Sequence, residues 1–520
     1  MRRANATALL CAAALCGFGA ISAPAALASH SETVFFEAPG SLLDVSAQSR
    51  TTTLAQLQSL GVHALRIVLY WRNVAPNPNH KRKPAFNQEN PAHYRWGNYD
   101  QLIDAAAALH WKILLTVTGP VPRWATPHGE DIRSNPNPGD FHQFMIAVGR
   151  HYGKLVKLYS IWNEPNQPGF LRPQYVGKKL TSPRIYRGLF LAGYSGLKAS
   201  GNFNRMTVLM GETSSVGVVT QGVPAPLAFL RGVLCLNSNY KPIGHCARLP
   251  ADGYAQHPYD NAHGPFAHPP KDDVTMGTIG RLITALNRAA AVGAIHRGLP
   301  VFVTEFGVQT KPNPYVGVTY AQQAEFDAIA EHIAWKNPRI VSFSQYLLRD
   351  DHPVRGRVVG SQAGLENYHG VAKPALQGFR LPLTVTRTRS GVALWGIVRP
   401  ETVAGPFGPI GPSLPGGTSG ATGSTGATAG TGSSGSTGTS GSGGVGAAAS
   451  GSTVLIQYSA NGGRTWRSLR TVRIGVHGSW SANGPYAGFR LWRVRWISPT
   501  GEAFVGAAIR TYTTFGRIDF

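Results

Sequence analysis

Two short stretches of this 520-residue chain combine residue types that could do chemistry: Ile161-Trp162-Asn163-Glu164-Pro165-Asn166 and Val303-Thr304-Glu305-Phe306-Gly307. In each, an apolar run with the texture of a buried strand stops at a glutamate. A carboxylate there is costly to desolvate unless it faces a polar pocket. Two of them brought to one pocket could serve as general acid–base and nucleophile. One such glutamate would suit a helix cap or a turn salt bridge equally well; two in matching settings argue for a shared site.

Glutamates this far apart in sequence need a scaffold that gathers strand ends. Apolar, β-rich runs at 34–36, 64–70, 112–118, 158–162, 207–211, 253–257, 301–305 and 341–347 alternate with helix-like stretches. Ser182-Pro183 opens one of these helices, and Thr319 with Gln322 forms a capping box for another. The alternation over residues 29–382 predicts an α/β fold, a (β/α)8 TIM barrel, with Glu164 and Glu305 closing strands four and seven at the C-terminal mouth. An open doubly wound sheet is the alternative, and the lack of a Gly-rich loop after the first strand argues against it.

The Asn-Glu-Pro end of strand four, the Thr-Glu-Phe-Gly end of strand seven, His257-Pro258-Tyr259 after strand six, Arg66 on strand two, Gly364-Leu365 and the closing Gly370-Val371-Ala372-Lys373-Pro374-Ala375 together resemble clan A of the retaining glycoside hydrolases, near families 5 and 39. The resemblance covers about residues 33–380. It implies a secreted retaining β-glycoside hydrolase acting on a β-linked glycan, with Glu164 as acid/base and Glu305 as nucleophile, their carboxyls about 5 to 5.5 Å apart. It also implies that Arg66 and Tyr259 hold the Glu305 carboxylate, that Asn163 bonds the sugar 2-hydroxyl, and that His257 binds substrate. Strict alternation cannot aim both Asn163 and Glu164 inward, so the strand must bend or bulge there.

Sugar rings present apolar C–H faces, and Trp71 after strand two and Trp124 after strand three are at the right ends to stack on one, although either could equally pack a loop. Strand eight departs from the family, which has a Trp at its end; here the order is Ser344-Gln345-Tyr346, and Gln345 is expected in that position. Strand three has Thr118-Gly119 where family 5 has a His. A transglycosylase using the same glutamates, or a non-catalytic glycan-binding wall protein, would be the alternatives, and the second would be expected to lack one glutamate.

The remaining features bound the setting. Met1-Arg2-Arg3, an apolar run and Ala26-Leu27-Ala28 read as an export signal over residues 1–28. Cys235 and Cys246 then remain, and in an oxidising exterior they are expected to form a disulfide. Lys and Arg exceed Asp and Glu by 49 to 25, a formal charge of +24, but the basic residues are scattered and no nucleic-acid module is visible. No cofactor or metal is expected, and the histidines at His257, His263 and His268 have no ligand spacing. The expected partner is an oligo- or polysaccharide, with wall contact through a basic C-terminal module and a monomeric state. From residue 383 the texture becomes alternating short strands. A Gly/Ser/Thr tract at about 404–452 interrupts them, which predicts one immunoglobulin-like β-sandwich over 383–520 with the tract inserted. Trp466, Trp480, Trp492 and Trp496 are its candidates for glycan contact or for core.

Overall fold

The structure, a computed structural model, describes residues 32–352, 360–400, 452–486, 488 and 490–512. The leader and residues 404–451 of the Gly/Ser tract lie outside them. Eight parallel strands close into a barrel: β1 (Thr33–Glu37), β2 (Ala64–Tyr70), β3 (Lys112–Thr118), β4 (Leu158–Ile161), β5 (Thr207–Thr213), β6 (Gly253–Gln256), β7 (Val301–Val303) and β8 (Ile340–Tyr346), with β8 pairing β1. The helices that follow them in turn are α1 (Ala47–Ser59), α2 (Asn98–Ala108), α3 (Pro138–Tyr152), α4 (Ser182–Ala199), α5 (Pro226–Val233), α6 (Gly280–Ala291), α7 (Tyr320–Lys336) and α8 (Pro374–Arg380). Both faces of such strands are covered, which is why β2 and β3 read as nearly unbroken apolar runs. Cys235 and Cys246, in the loop after α5, are disulfide-bonded with Cα atoms 6.2 Å apart.

Alternation along the strands builds the barrel interior in layers. Phe35, Ala64, Leu114, Leu209 and Ala255 form an inner apolar cluster with Leu158 and Phe302 packed on it. Two residues further along each strand the same inward row reaches Glu37, Arg66, Thr116, Ser160, His257 and Thr304, all buried. The apolar layer thus plugs the barrel, and the polar layer above it floors the C-terminal mouth.

The outer layer, between strands and helices, holds Trp71, and here the expectation of sugar stacking is corrected. Trp71 is 0% exposed; its ring stacks on Phe144 of α3 at 5.1 Å and meets Trp124 edge-on at 5.8 Å. Trp124, 5% exposed, is held by a hydrogen bond from Nε1 to the Pro76 carbonyl at 3.0 Å. A short helix begins at Trp71 and turns its indole into this cluster, so neither ring offers a free face.

Beyond the barrel, β9 (Leu383–Arg387), β10 (Val392–Ile397) and β13 (Ser479–Gly484) form one antiparallel sheet. A second comprises β11 (Thr453–Ser459), β12 (Arg467–Arg473), β14 (Leu491–Ile497), β15 (Ala503–Val505) and β16 (Ile509–Arg510). β10 pairs with β13 over six residues, from Val392 opposite Gly484 to Ile397 opposite Ser479, so chain on both sides of 401–451 shares a sheet. Trp480, Trp492 and Trp496 are buried in the core, which removes them as glycan contacts, and Trp466 lies beneath the Arg493 guanidinium. The sandwich packs on α7: Trp395 stacks on His332 at 4.2 Å, while Arg510 and the Tyr512 hydroxyl both donate to the buried Glu325.

Candidate active site

Arg66 is the centre of the polar layer. Its Nη1 donates to Glu37 Oε2 and, at 2.8 Å, to Glu305 Oε2; its Nη2 donates to Asn163 Oδ1 at 2.6 Å and Glu212 Oε2 at 2.8 Å. Burial alone would lower the pKa of this guanidinium, but Glu212, Glu37 and Glu305 hold it well above its ordinary value. Thr116 Oγ1 donates to the other oxygen of Glu212 at 2.9 Å, so that carboxylate is satisfied on both sides.

The two glutamates that end strands four and seven meet over this floor. Tyr259 donates its hydroxyl to Glu305 Oε1 at 2.7 Å, and Arg66 takes Oε2, which fixes the carboxylate from two directions. Glu164 reaches His257 Nδ1 at 3.3 Å, and the same nitrogen lies 3.6 Å from Glu305. One donor atom each from Glu164, His257 and Glu305 fall within 4.8 Å of one another. That spacing could hold a divalent cation, but Arg66 already supplies a fixed positive charge to the cluster. The Glu164 and Glu305 side chains are 18% and 14% exposed, whereas those of Arg66, Glu212 and His257 are 0% exposed. A molecule entering the mouth therefore meets the two glutamates first.

The backbone is strained where these acids are aimed. β4 ends at Ile161, and Trp162 and Glu164 take left-handed φ values of 73° and 38°, the bend that brings Asn163 and Glu164 to the same side. The Glu164 amide donates to the Glu212 carbonyl at 2.9 Å. Glu212 is itself left-handed at φ 47°, in a β-bulge where the register of β5 against β6 shifts between Gly211 and Thr213. Gly211 precedes it at φ 109°, and a Cβ there would come 2.5 Å from the Ala255 carbonyl, so the bulge requires glycine.

The environment separates the two acids electrostatically. Burial dominates at Glu164 and raises its pKa above 4.5, with His257 opposing. Burial pushes Glu305 the same way, but His257, Arg66 and the Tyr259 hydroxyl together outweigh it and hold Glu305 below 4.5. The two shifts thus run in opposite directions, as a division into acid and nucleophile requires.

Two expectations about this site change. His257 is fully buried against Glu164, Glu305 and Glu212, so its ring presents no open face at the mouth for a substrate to touch. Gln345 points away from the mouth: its Nε2 donates to the carbonyls of Leu347 and Ala363, at 3.4 and 3.2 Å. The register explains it, because Phe35 and Glu37 face inward on β1 opposite Ser344 and Tyr346, which leaves Gln345 on the outer face beside Phe36. Tyr346 occupies the inward place, and burial followed by Glu305 and Glu37 raises its pKa.

Sequence reasoning also passed over Glu37 and Glu212. Both carry the sign that marked the other two glutamates, an apolar strand ending in a carboxylate: Val34-Phe35-Phe36-Glu37 and Val208-Leu209-Met210-Gly211-Glu212. Burial pushes the Glu37 pKa up to about 7, against the pull of Arg66.

No family model matches the chain, and no curated protein matches it in sequence. Among solved structures it is similar to a family 39 glycoside hydrolase from the gut symbiont Bacteroides cellulosilyticus, at 16% identity and a TM-score of 0.46 over 72% of this chain and 70% of that one. It is also similar to a glucosidase from Croceicoccus marinus, at 13% identity and a TM-score of 0.46 over 71% of this chain and 74% of that one. A third is xylanase 10B from Thermotoga maritima, at 14% identity and a TM-score of 0.43 over 68% of this chain and 94% of that one.

Proposed function

We propose that the chain is a retaining β-glycoside hydrolase that opens O-glycosidic bonds of a β-linked glycan by double displacement. The observation that carries this reading is the pair Glu164 and Glu305, with oxygens within 4.8 Å of each other at the barrel mouth. Carboxyls about 5 to 5.5 Å apart leave a nucleophile in reach of the anomeric carbon, whereas about 6.5 to 9.5 Å is needed to seat a water between.

In the first step the ionised Glu305 attacks the anomeric carbon and forms an ester, while Glu164 gives its proton to the glycosidic oxygen, which leaves as an alcohol. In the second, Glu164 takes a proton from water, whose oxygen attacks the same carbon and expels Glu305 with its electron pair. The opposed pKa shifts of the two residues match these roles. Arg66 holds Asn163 Oδ1, which leaves Nδ2 to donate to the sugar 2-hydroxyl. Tyr346, at the inward end of β8, is the residue placed to meet the sugar where the Trp of related enzymes would stand.

The chain acts outside the cell, exported by the leader at 1–28; the disulfide fits an oxidising compartment. The test is hydrolysis of aryl β-glycosides, β-glucan, mannan and xylan, with NMR detection of the first anomer released and Glu305→Gln as control. Release of the inverted anomer would refute double displacement.

A further inference from the structure

The sandwich carries a feature that the barrel chemistry leaves unused. Among its described residues, 383–400, 452–486, 488 and 490–512, Glu502 is the one carboxylate, lysine is absent, and the fixed positive charge is all arginine. Arg399 and Arg510 face the barrel, paired with Glu331 and Glu325. Others gather on the solvent face of the second sheet.

The registers define that face. Trp492, Val494 and Trp496 of β14 are buried, so alternation turns Arg493, Arg495 and Ile497 outward. Thr471 and Arg473 of β12 share the face, opposite Leu455 and Thr453 of β11. Arg473 and Arg495 are exposed, and no acidic side chain among the described residues pairs with either. Arg493 is steadied by a hydrogen bond from Nε to Gln457 Oε1 at 2.9 Å and lies over the Trp466 ring at 4.1 Å. Burial, and then the like charge of Arg495, lower the Arg493 pKa. Ile497 and Val505, 42% and 38% exposed, set apolar surface beside these guanidiniums.

We infer that this outer face of the sandwich is a docking site for an anionic glycan, a polymer of uronic acid residues, separate from the site at the barrel mouth. Guanidinium is planar and weakly hydrated, and its fork takes a carboxylate bidentately where an ammonium would act as a point charge. Alternate residues on a strand are about 7 Å apart and every second strand about 10 Å away, a grid over which an extended polysaccharide can place successive carboxylates. Exposed Ile497 and Val505 suit the C–H faces of sugar rings. Single-stranded nucleic acid would instead want free aromatic faces to stack on, and Arg493 covers one of Trp466; a duplex is left to the DNA arm of the test. The choice of a glycan rests on the proposed hydrolase reading; the choice of an anion does not.

The test uses the full-length protein in affinity electrophoresis and co-sedimentation with polygalacturonate, with hydroxyethylcellulose as neutral polymer and dextran sulfate and duplex DNA as sulfate and phosphate polymers. The Arg473→Gln/Arg493→Gln/Arg495→Gln variant is compared with a charge-matched Lys154→Gln/Arg205→Gln/Arg297→Gln variant at the far end of the barrel. The expected result is salt-sensitive retention on polygalacturonate that weakens at least tenfold in the sandwich variant and stays unchanged in the barrel variant. Turnover of an aryl glycoside and thermal unfolding should be unaltered in both. Equal binding by the sandwich variant, an equal loss in the barrel variant, or tighter binding to dextran sulfate or DNA would overturn the proposal. Polygalacturonate binding without turnover of any glycoside would defeat the hydrolase reading and leave the docking site standing.

Discussion

Replacing Arg66 by lysine keeps a positive charge under the barrel mouth and removes the fork that distributes it. The guanidinium makes four hydrogen bonds, to Glu37, Glu305, Asn163 and Glu212, and its side chain is fully buried. A lysine ammonium is a single centre and cannot serve both sides of that array at once. Losing two of the four, each a bond to or from a charged group at about 1.5 to 3 kcal/mol, removes roughly 3 to 6 kcal/mol from a fold whose total stability is of the order of 5 to 15 kcal/mol. The variant should still fold in the cold, with a much lower Tm. Its kcat should fall about 30- to 1,000-fold, since about 2 to 4 kcal/mol of transition-state stabilisation goes with the misplacement of Glu305 and Asn163. KM should change little, because Arg66 is shielded from the mouth. Thermal unfolding and steady-state turnover of an aryl β-glycoside check both halves. A variant with Tm within about 2 °C and kcat within threefold of the parent would refute the idea that Arg66 organises the site.

The other expectations follow from the same geometry. Glu305→Ala should abolish turnover of every substrate, while Glu164→Ala should still form the glycosyl-enzyme from substrates with acidic leaving groups and be rescued by azide with retention; the opposite pattern would reverse the two roles. Activity against pH should be bell-shaped, with the acid limb below 4.5 from Glu305 and the alkaline limb above 4.5 from Glu164. In Glu164→Ala, assayed on a substrate that needs no protonation, the alkaline limb should vanish, and its persistence would assign it elsewhere. Glu32, half-buried near Arg399 with its Oε1 enclosed, has its pKa pushed up to about 8 by desolvation. The native state keeps a proton that the unfolded chain loses near 4.5. The resulting stability is complete below that pH and is lost as pH rises through about 8. Glu32→Gln should flatten this decline in Tm, and an unchanged slope would show that the group does not titrate as stated.

The positions of all eight barrel strands were legible in the sequence because parallel strands covered on both faces must be continuous apolar runs, and because the turns between them interrupt those runs. Glu164 and Glu305 were legible for a related reason: a carboxylate closing such a run stands out against its neighbours. What the sequence could not settle was which side of a strand or turn each residue takes. On β8 a shift of one residue separates Gln345 on the outer face from Tyr346 at the mouth, and only pairing with β1 fixes that parity. Trp71 and Trp124 stand at the correct strand ends, yet a helical turn carries them into the layer beneath α3. Glu212 reaches Arg66 through a bulge at Gly211, and His257 is enclosed by glutamates from three other strands. Local sequence determines where strands begin and end, because that depends on near neighbours; the direction of a side chain at a strand end depends on register and bulges set by distant strands, and that belongs to the tertiary structure.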